Sequence, residues 1–230
     1  MRWVPDHTKR FRWRPWYDKD EIEHRCAEVM ERFLHARYGV VTYPVSTDDL
    51  TRVIEQEAED LDLYADLPDS EGAAVEGVTT FMVGRRPRVR ISRALSLEPA
   101  REVRLRTTLA HELGHVILHN FVGDRDDGLA IPRSDEPDAG PCNSPIMAQG
   151  MGRVDWMEWQ AGYACGALLM PATVLRIVVQ PVLERHGTGL PVGNAGFGPL
   201  LDCVQGHFLV SAAAAHMRLR RLGYVAQSLR

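Results

Sequence analysis

Five residues constrain this chain more than any others: His111-Glu112-Leu113-Gly114-His115. Residues four apart lie one turn apart on the same face of an α-helix, so the two imidazoles reach a single ion only if this segment is helical. The surroundings predict a helix. Pro99 stands where a helix can start, and the stretch from about 100 to 119 has no glycine before Gly114. Leu105, Leu109, Leu113, Val116 and Ile117 give it an apolar face. Zinc suits nitrogen ligands, and it lowers the pKa of a bound water to about 7. Glu112, next to the first histidine, is placed to take that water's proton and pass it to a leaving amine. Gly114 costs a helix interior roughly 1 kcal/mol relative to alanine. Its expected use is the close approach of another backbone.

A catalytic zinc needs a third protein ligand and an open position. Glu158 is the expected ligand. At helical spacing it shares a face with the small residues Ala161, Gly162 and Cys165, and that face can lie close against the first helix. Trp156, Trp159, Tyr163 and Leu168, on the other side, are expected to fill the core. Asp155 and His119 are the competing ligands. His119 extends the ladder from His115, but it stands two turns from His111, a rise of about 12 Å, so three ligands on one straight helix strain the geometry. It is read as a neighbour of the site.

The rest of the chain frames this site. Length and apolar content are enough for one sizeable core. The net charge of -4 does not favour nucleic acid, although the first 19 residues are basic and aromatic and the chain after Asp202 is basic. The four cysteines form no CxxC pair, so a cysteine zinc site is not expected. The N-terminus lacks an apolar signal core and no apolar run reaches the roughly 20 residues of a span. A reducing cytoplasm and no membrane are the expectation.

Helices are expected from Asp20 to a cap at Gly39, from Ser46 or Thr47 through Ile54, from about Asp155 to Met170, over 172–186, over 198–206, and from Ser211 to about Leu222. Segments 61–65, 73–83 and 87–91 read as a small antiparallel sheet with a turn at Arg86-Pro87. Residues 120–154, rich in Gly, Pro, Asp and Ser, are too long for an ordinary connection and read as a lid or insertion. Its Asp124–Gly128 start does not fit a calcium loop. The oxyanion stabiliser stays open among Tyr163, His207, His216 and Tyr224. Arg218, Arg220 and Arg221 on the last helix are read as a basic face near a capped helix's C-terminus rather than as a DNA-reading surface.

The run Arg106-Thr107-Thr108-Leu109-Ala110-His111-Glu112-Leu113-Gly114-His115-Val116-Ile117-Leu118-His119 resembles the active-site helix of the ImmA/IrrE family of metallopeptidases. Glu158-Trp159-Gln160-Ala161-Gly162-Tyr163-Ala164, with Leu168-Leu169-Met170-Pro171, is similar to that family's second helix. A weaker block is Phe208-Leu209-Val210-Ser211 with Arg218-Leu219, Leu222 and Gly223. Most of the likeness lies in 104–171. Gly162 departs from it, standing where the family often has a polar residue, and the 120–154 insertion is longer than expected.

The resemblance implies a gluzincin-like site with His111, His115 and Glu158 on zinc and Glu112 catalytic. It also implies cleavage of helix-turn-helix repressors. The resulting expectation is an α+β fold: zincin-like helices packed on a small antiparallel sheet, followed by a C-terminal helical segment. Its parts are a basic aromatic N-terminal arm (1–19), a metallopeptidase domain (20–186) and the C-terminal segment (187–230). The expected function is a zinc-dependent endopeptidase acting on a specific intracellular protein. The alternative is a zinc-stabilised regulatory or binding module, toxin–antitoxin or DNA-associated, with little peptidase activity.

Overall fold

The computed structural model describes residues 1–6, 13–67, 75–82, 84–120 and 156–226. The expected insertion, Asp155 and Cys142 lie outside them. The fold is α+β, and among the described residues it comprises eight α-helices and two small sheets.

Strands β1 (Arg2–Pro5) and β2 (Trp13–Trp16) pair antiparallel, so the basic N-terminus is a paired element. Its residues dock on the domain. Arg14 lies over the rings of both Trp16 and Trp156, and the buried Tyr17 donates to the Leu118 carbonyl at 3.4 Å. Helix α1 (Lys19–Tyr38) opens on a reciprocal capping box between Asp18 and Glu21 and closes on Gly39 at φ 73°, a left-handed position that favours glycine. Helix α2 (Thr47–Glu57) opens on the matching box of Ser46 and Asp49. Both helices bury one apolar stripe, Ile22, Cys26, Met30, Phe33 and Leu34 in α1 and Leu50, Val53 and Ile54 in α2.

Strands β3 (Asp60–Ala65), β4 (Gly77–Met82) and β5 (Arg85–Ser92) form the second sheet, in the order β3-β5-β4. This corrects the antiparallel expectation: β4 and β5 are antiparallel, but β3 runs parallel to β5. The connection from Asp66 to Glu76 is much longer than a hairpin turn, and β4 passes to the far edge while β5 takes the centre. The expected turn at Arg86-Pro87 is also displaced. The reversal lies at Gly84, φ 68°, and Pro87 belongs to β5. It sits where the register shifts between Thr80 and Met82, a bulge that accommodates a residue with no N–H to donate.

A short α3 (Arg93–Ser96) and a 3-10 turn at Pro99–Arg101 lead into α4 (Glu102–His119). Helix α4 is central: every residue from Arg106 to His119 except Ile117 is buried. It packs along α5 (Trp156–Leu169), with α2 beside it and β4 across it. Pro171 breaks the chain into α6 (Ala172–His186), which is bent 63° from α5. Helices α7 (Phe197–Phe208) and α8 (Ala212–Arg221) complete the same core through Leu200, Val204, Phe208, Ala215 and Leu219.

Ser211 caps α8, as its sequence predicts, but the arginines do not form a basic outer face. Arg218 is buried, and Arg221 donates to the Gly162 carbonyl at 2.6 Å. On the other side of the core, Arg106 reaches from α4 to the carbonyls of Val45, Phe208 and Leu209, tying α4 to the end of α7. Among the described residues no single helix is long and apolar enough to cross a membrane.

Candidate metal centre

Gly114 decides how close the two central helices come. A Cβ there would stand 3.0 Å from the Ala161 carbonyl oxygen and 3.0 Å from the Ala164 Cβ. Backbone therefore meets backbone, as the glycine predicted, and the approach brings Glu158 of α5 over the histidine face of α4. Gly162, expected on the same face, is off it: a Cβ there would meet nothing within 4 Å. Trp159, expected in the core, is 38% exposed and stacks on Tyr163.

The three expected ligands converge. His111 Nε2 lies 3.1 Å from Glu158 Oε2, and His115 Nε2 lies 3.3 Å from Glu158 Oε1. One ligand atom from each residue lies within 4.8 Å of the other two, so the cluster can hold a metal ion. The histidine side chains are 5% and 7% exposed and that of Glu158 is 34%, so the group opens to solvent on the Glu158 side. Burial pushes the Glu158 carboxyl upward, but hydrogen bonds from His111 and His115 outweigh it and hold the group well below the usual carboxylate range. A carboxylate that stays ionised beside two imidazoles is a donor set for a divalent cation.

Glu112 is fully buried. Thr79 Oγ1 of β4 donates to its Oε2 at 2.7 Å, while its Oε1 has no hydrogen-bond partner among the described residues. Gly77, two residues earlier on the same face of β4, leaves the space beside Oε1. A Cβ at 77 would stand 2.7 Å from that oxygen. An unsatisfied buried carboxylate oxygen costs free energy, about 1–3 kcal/mol or more for a charged group. Here it lies one residue from His111 of that cluster.

His119 is not part of the cluster. Its ring is fully buried, 3.0 Å from His115 through the two Nδ1 atoms and 2.9 Å from Gln160 Oε1 through Nε2. Burial, with His115 adjacent, holds it well below the ordinary histidine pKa and keeps it neutral.

Of the residues named for oxyanion stabilisation, Tyr163 lies under the guanidinium groups of Arg218 and Arg221, the His207 ring meets Phe208 and the His216 ring meets Phe197. The backbone carbonyl of Tyr224 accepts from the Leu190 N–H at 3.2 Å. Cys165 donates to the Thr107 carbonyl at 3.4 Å, and burial pushes its thiol up to about 12, so it is no thiolate ligand at neutral pH. Thr79, Gly77 and Gln160 were missed by sequence reasoning. The alternation of Gly77 and Thr79 on one strand face, and the third histidine of the ladder, were the available signals. Searches of protein-family models and of curated proteins find no match to this chain.

Proposed function

We propose that this protein is a zinc-dependent endopeptidase of zincin-like, ImmA/IrrE-like type. The observation that carries the reading is Glu112: a buried carboxylate with one oxygen held by Thr79 and the other without a partner among the described residues, next in sequence to a His111/His115/Glu158 cluster. Structural zinc sites close with four protein ligands and need no neighbouring base, whereas catalytic sites use three.

Zinc in the cluster supplies Lewis acidity, which polarises a carbonyl and acidifies water. The chain supplies the rest. Thr79 fixes the Glu112 carboxylate, so Oε1 is the oxygen that takes a proton from the attacking water. Glu112 then returns that proton to the amine nitrogen as the C–N bond breaks, leaving a carboxylic acid and an amine. The exposed edge of Glu158 is the side from which a peptide reaches the centre. The substrate class is a helix-turn-helix repressor in the cytoplasm, a proposal that rests on the resemblance of the 104–171 blocks.

The test is elemental analysis of wild type, His115→Ala and Glu158→Ala, followed by incubation of zinc-loaded protein with helix-turn-helix repressors. About one zinc per chain, lost in both variants, and repressor cleavage are expected. Tight zinc in Glu158→Ala would remove that residue from the site. Zinc binding without any cleavage would leave a metal-stabilised binding module in place of a peptidase.

A further inference from the structure

The arginines that tie this fold together use their N–H groups inside it. Arg106 donates to the carbonyls of Val45, Phe208 and Leu209, Arg218 to a carbonyl and a carboxylate, and Arg221 to a carbonyl. Arg14 of β2 differs. Its guanidinium lies 5.4 Å from the Trp16 ring centre and 5.3 Å from that of Trp156, yet it has no hydrogen bond or ion pair among the described residues. A guanidinium stacked on aromatic faces is held in one place while its N–H edge stays clear, and that edge matches a carboxylate with two parallel bonds. Arg2 adds a second charge. It stands opposite Trp16 in the β1–β2 register, so Arg2, Trp16 and Arg14 share one face of the hairpin. Arg2 is exposed and its side chain also lacks an ion pair among the described residues. The Trp16 ring between them is 39% exposed.

This face adjoins the metal centre. The Trp156 ring meets His119 at 5.4 Å, and His119 meets His115 at 5.1 Å. Trp156 and Glu158 stand in the same first turn of α5. An extended peptide rises about 3.3 Å per residue, so a chain held at the cluster reaches Arg14 within about five residues. We propose that Arg14, with Arg2 beside it, is a specificity-determining residue that receives an Asp or Glu side chain of the substrate peptide. The proposal rests on the peptidase reading and adds a preference to it. An aromatic ring between two cations also suits a nucleic acid. The place beside the cluster and the net charge of -4 favour the peptide.

The test uses full-length, zinc-loaded protein and a random-sequence synthetic peptide library with blocked termini. Mass spectrometry of the products reads which residues stand at each position about the cut. Wild type is expected to favour Asp and Glu at a position within about five residues of the cut, and Arg14→Gln to lose that preference. On one preferred peptide the loss should be about tenfold and fall on KM rather than kcat. Arg14→Glu should invert the preference toward Lys and Arg, which loss of a merely structural stacking would not do. Wild-type cuts without an acidic preference would overturn the proposal, as would an unchanged preference in a folded Arg14→Gln. So would retention of a single-stranded oligonucleotide, lost in Arg14→Gln, in place of any acidic preference. If the Arg14 variants do not fold, the wild-type preference and its weakening in Arg2→Gln decide. If wild type cuts nothing, the peptidase reading falls, and retention of the same library on immobilised protein decides the docking. Acidic peptides held by wild type and released by Arg14→Gln would uphold it; retention without regard to charge would overturn it.

Discussion

Helix α5 meets buried polar groups at both ends. At its C-terminal end, Arg218 of α8 lies against Gly166, donates to the Met170 carbonyl at 2.9 Å, pairs with both oxygens of Glu23 at 2.6 and 2.8 Å, and covers the Tyr163 ring. That network joins α1, α5 and α8 and satisfies a charge that would be costly to bury alone. At the N-terminal end, Glu158 meets the Nε2 atoms of two histidines, and Glu112 beside them keeps an oxygen with no hydrogen-bond partner among the described residues. The same helix thus carries a closed network and an open one. A closed network accounts for itself as architecture. An open network of convergent donors costs stability, and a ligand or a reaction is what such a cost serves.

The largest expected effect separates the two ends by chemistry. Glu112→Gln keeps the shape of the site and removes the proposed base, so cleavage should fall by about 10²–10⁴-fold. Zinc content and unfolding midpoint should stay near wild type, as read by elemental analysis and urea titration. Cleavage at the wild-type rate would break the comparison, because the open network would then have no catalytic use.

Arg218→Ala probes the other end. It strips a partly buried carboxylate of its bidentate partner and empties the space of a fully buried side chain, and the expected cost is about 2–3 kcal/mol of stability. Zinc stoichiometry should not change. If zinc is lost at concentrations where the variant is folded, the two ends are coupled through α5 and cannot be assigned separate roles.

The contrast between the ends also separates what the sequence disclosed from what it hid. The open end was legible because its information is local. His111 and His115 are one helical turn apart, and Gly114 announces a close backbone approach. Glu158 stands on a face with Ala161 and Cys165, whose size says what can pack there. The closed end was not legible, since the bond from Arg218 to Glu23 joins α8 to α1, and nothing near either residue names the other. Arg218 consequently read as one of three surface bases.

The sheet failed for the same reason. Strand content was readable from Val, Thr and Phe between glycines and prolines. Which strand takes the centre depends on where the Asp66–Glu76 connection travels, and local pattern does not encode that. Capping boxes at Asp18 and Ser46 are the counter-example: their partners lie three residues away, and both helix starts were readable to within a residue or two.

Gly114→Ala sharpens the comparison between the ends by moving the helices apart at one of them. The new Cβ would press on the Ala161 carbonyl and the Ala164 Cβ at 3.0 Å, and neither is the free end of a flexible side chain. Overpacking costs about 1–3 kcal/mol, and the better helix propensity of alanine returns about 1. A net loss of about 1 kcal/mol is expected, with a drop in zinc affinity, because two ligands lie on α4 and the third on α5. Calorimetry with a zinc titration reads both. Unchanged zinc affinity would mean that Glu158 reaches the cluster whatever the helix separation.

The most local change tests whether β4 serves the proposed base or merely covers it. Thr79→Val is close in shape and removes only the 2.7 Å hydrogen bond to Glu112 Oε2. The carboxylate stays in place, flanked by the space that Gly77 leaves, but its rotation is no longer fixed. Loss of one such bond is worth about 1–2 kcal/mol, so kcat should fall about tenfold. KM should not move, since Thr79 is placed against the base and not against the peptide. Zinc affinity should also hold, because the hydrogen bonds of the Thr79 hydroxyl go to Glu112 and not to His111, His115 or Glu158. A fall in zinc affinity with kcat unchanged would reverse the assignment: β4 would then brace the metal-binding face of α4, and the free oxygen of Glu112 would owe its position to helix packing alone.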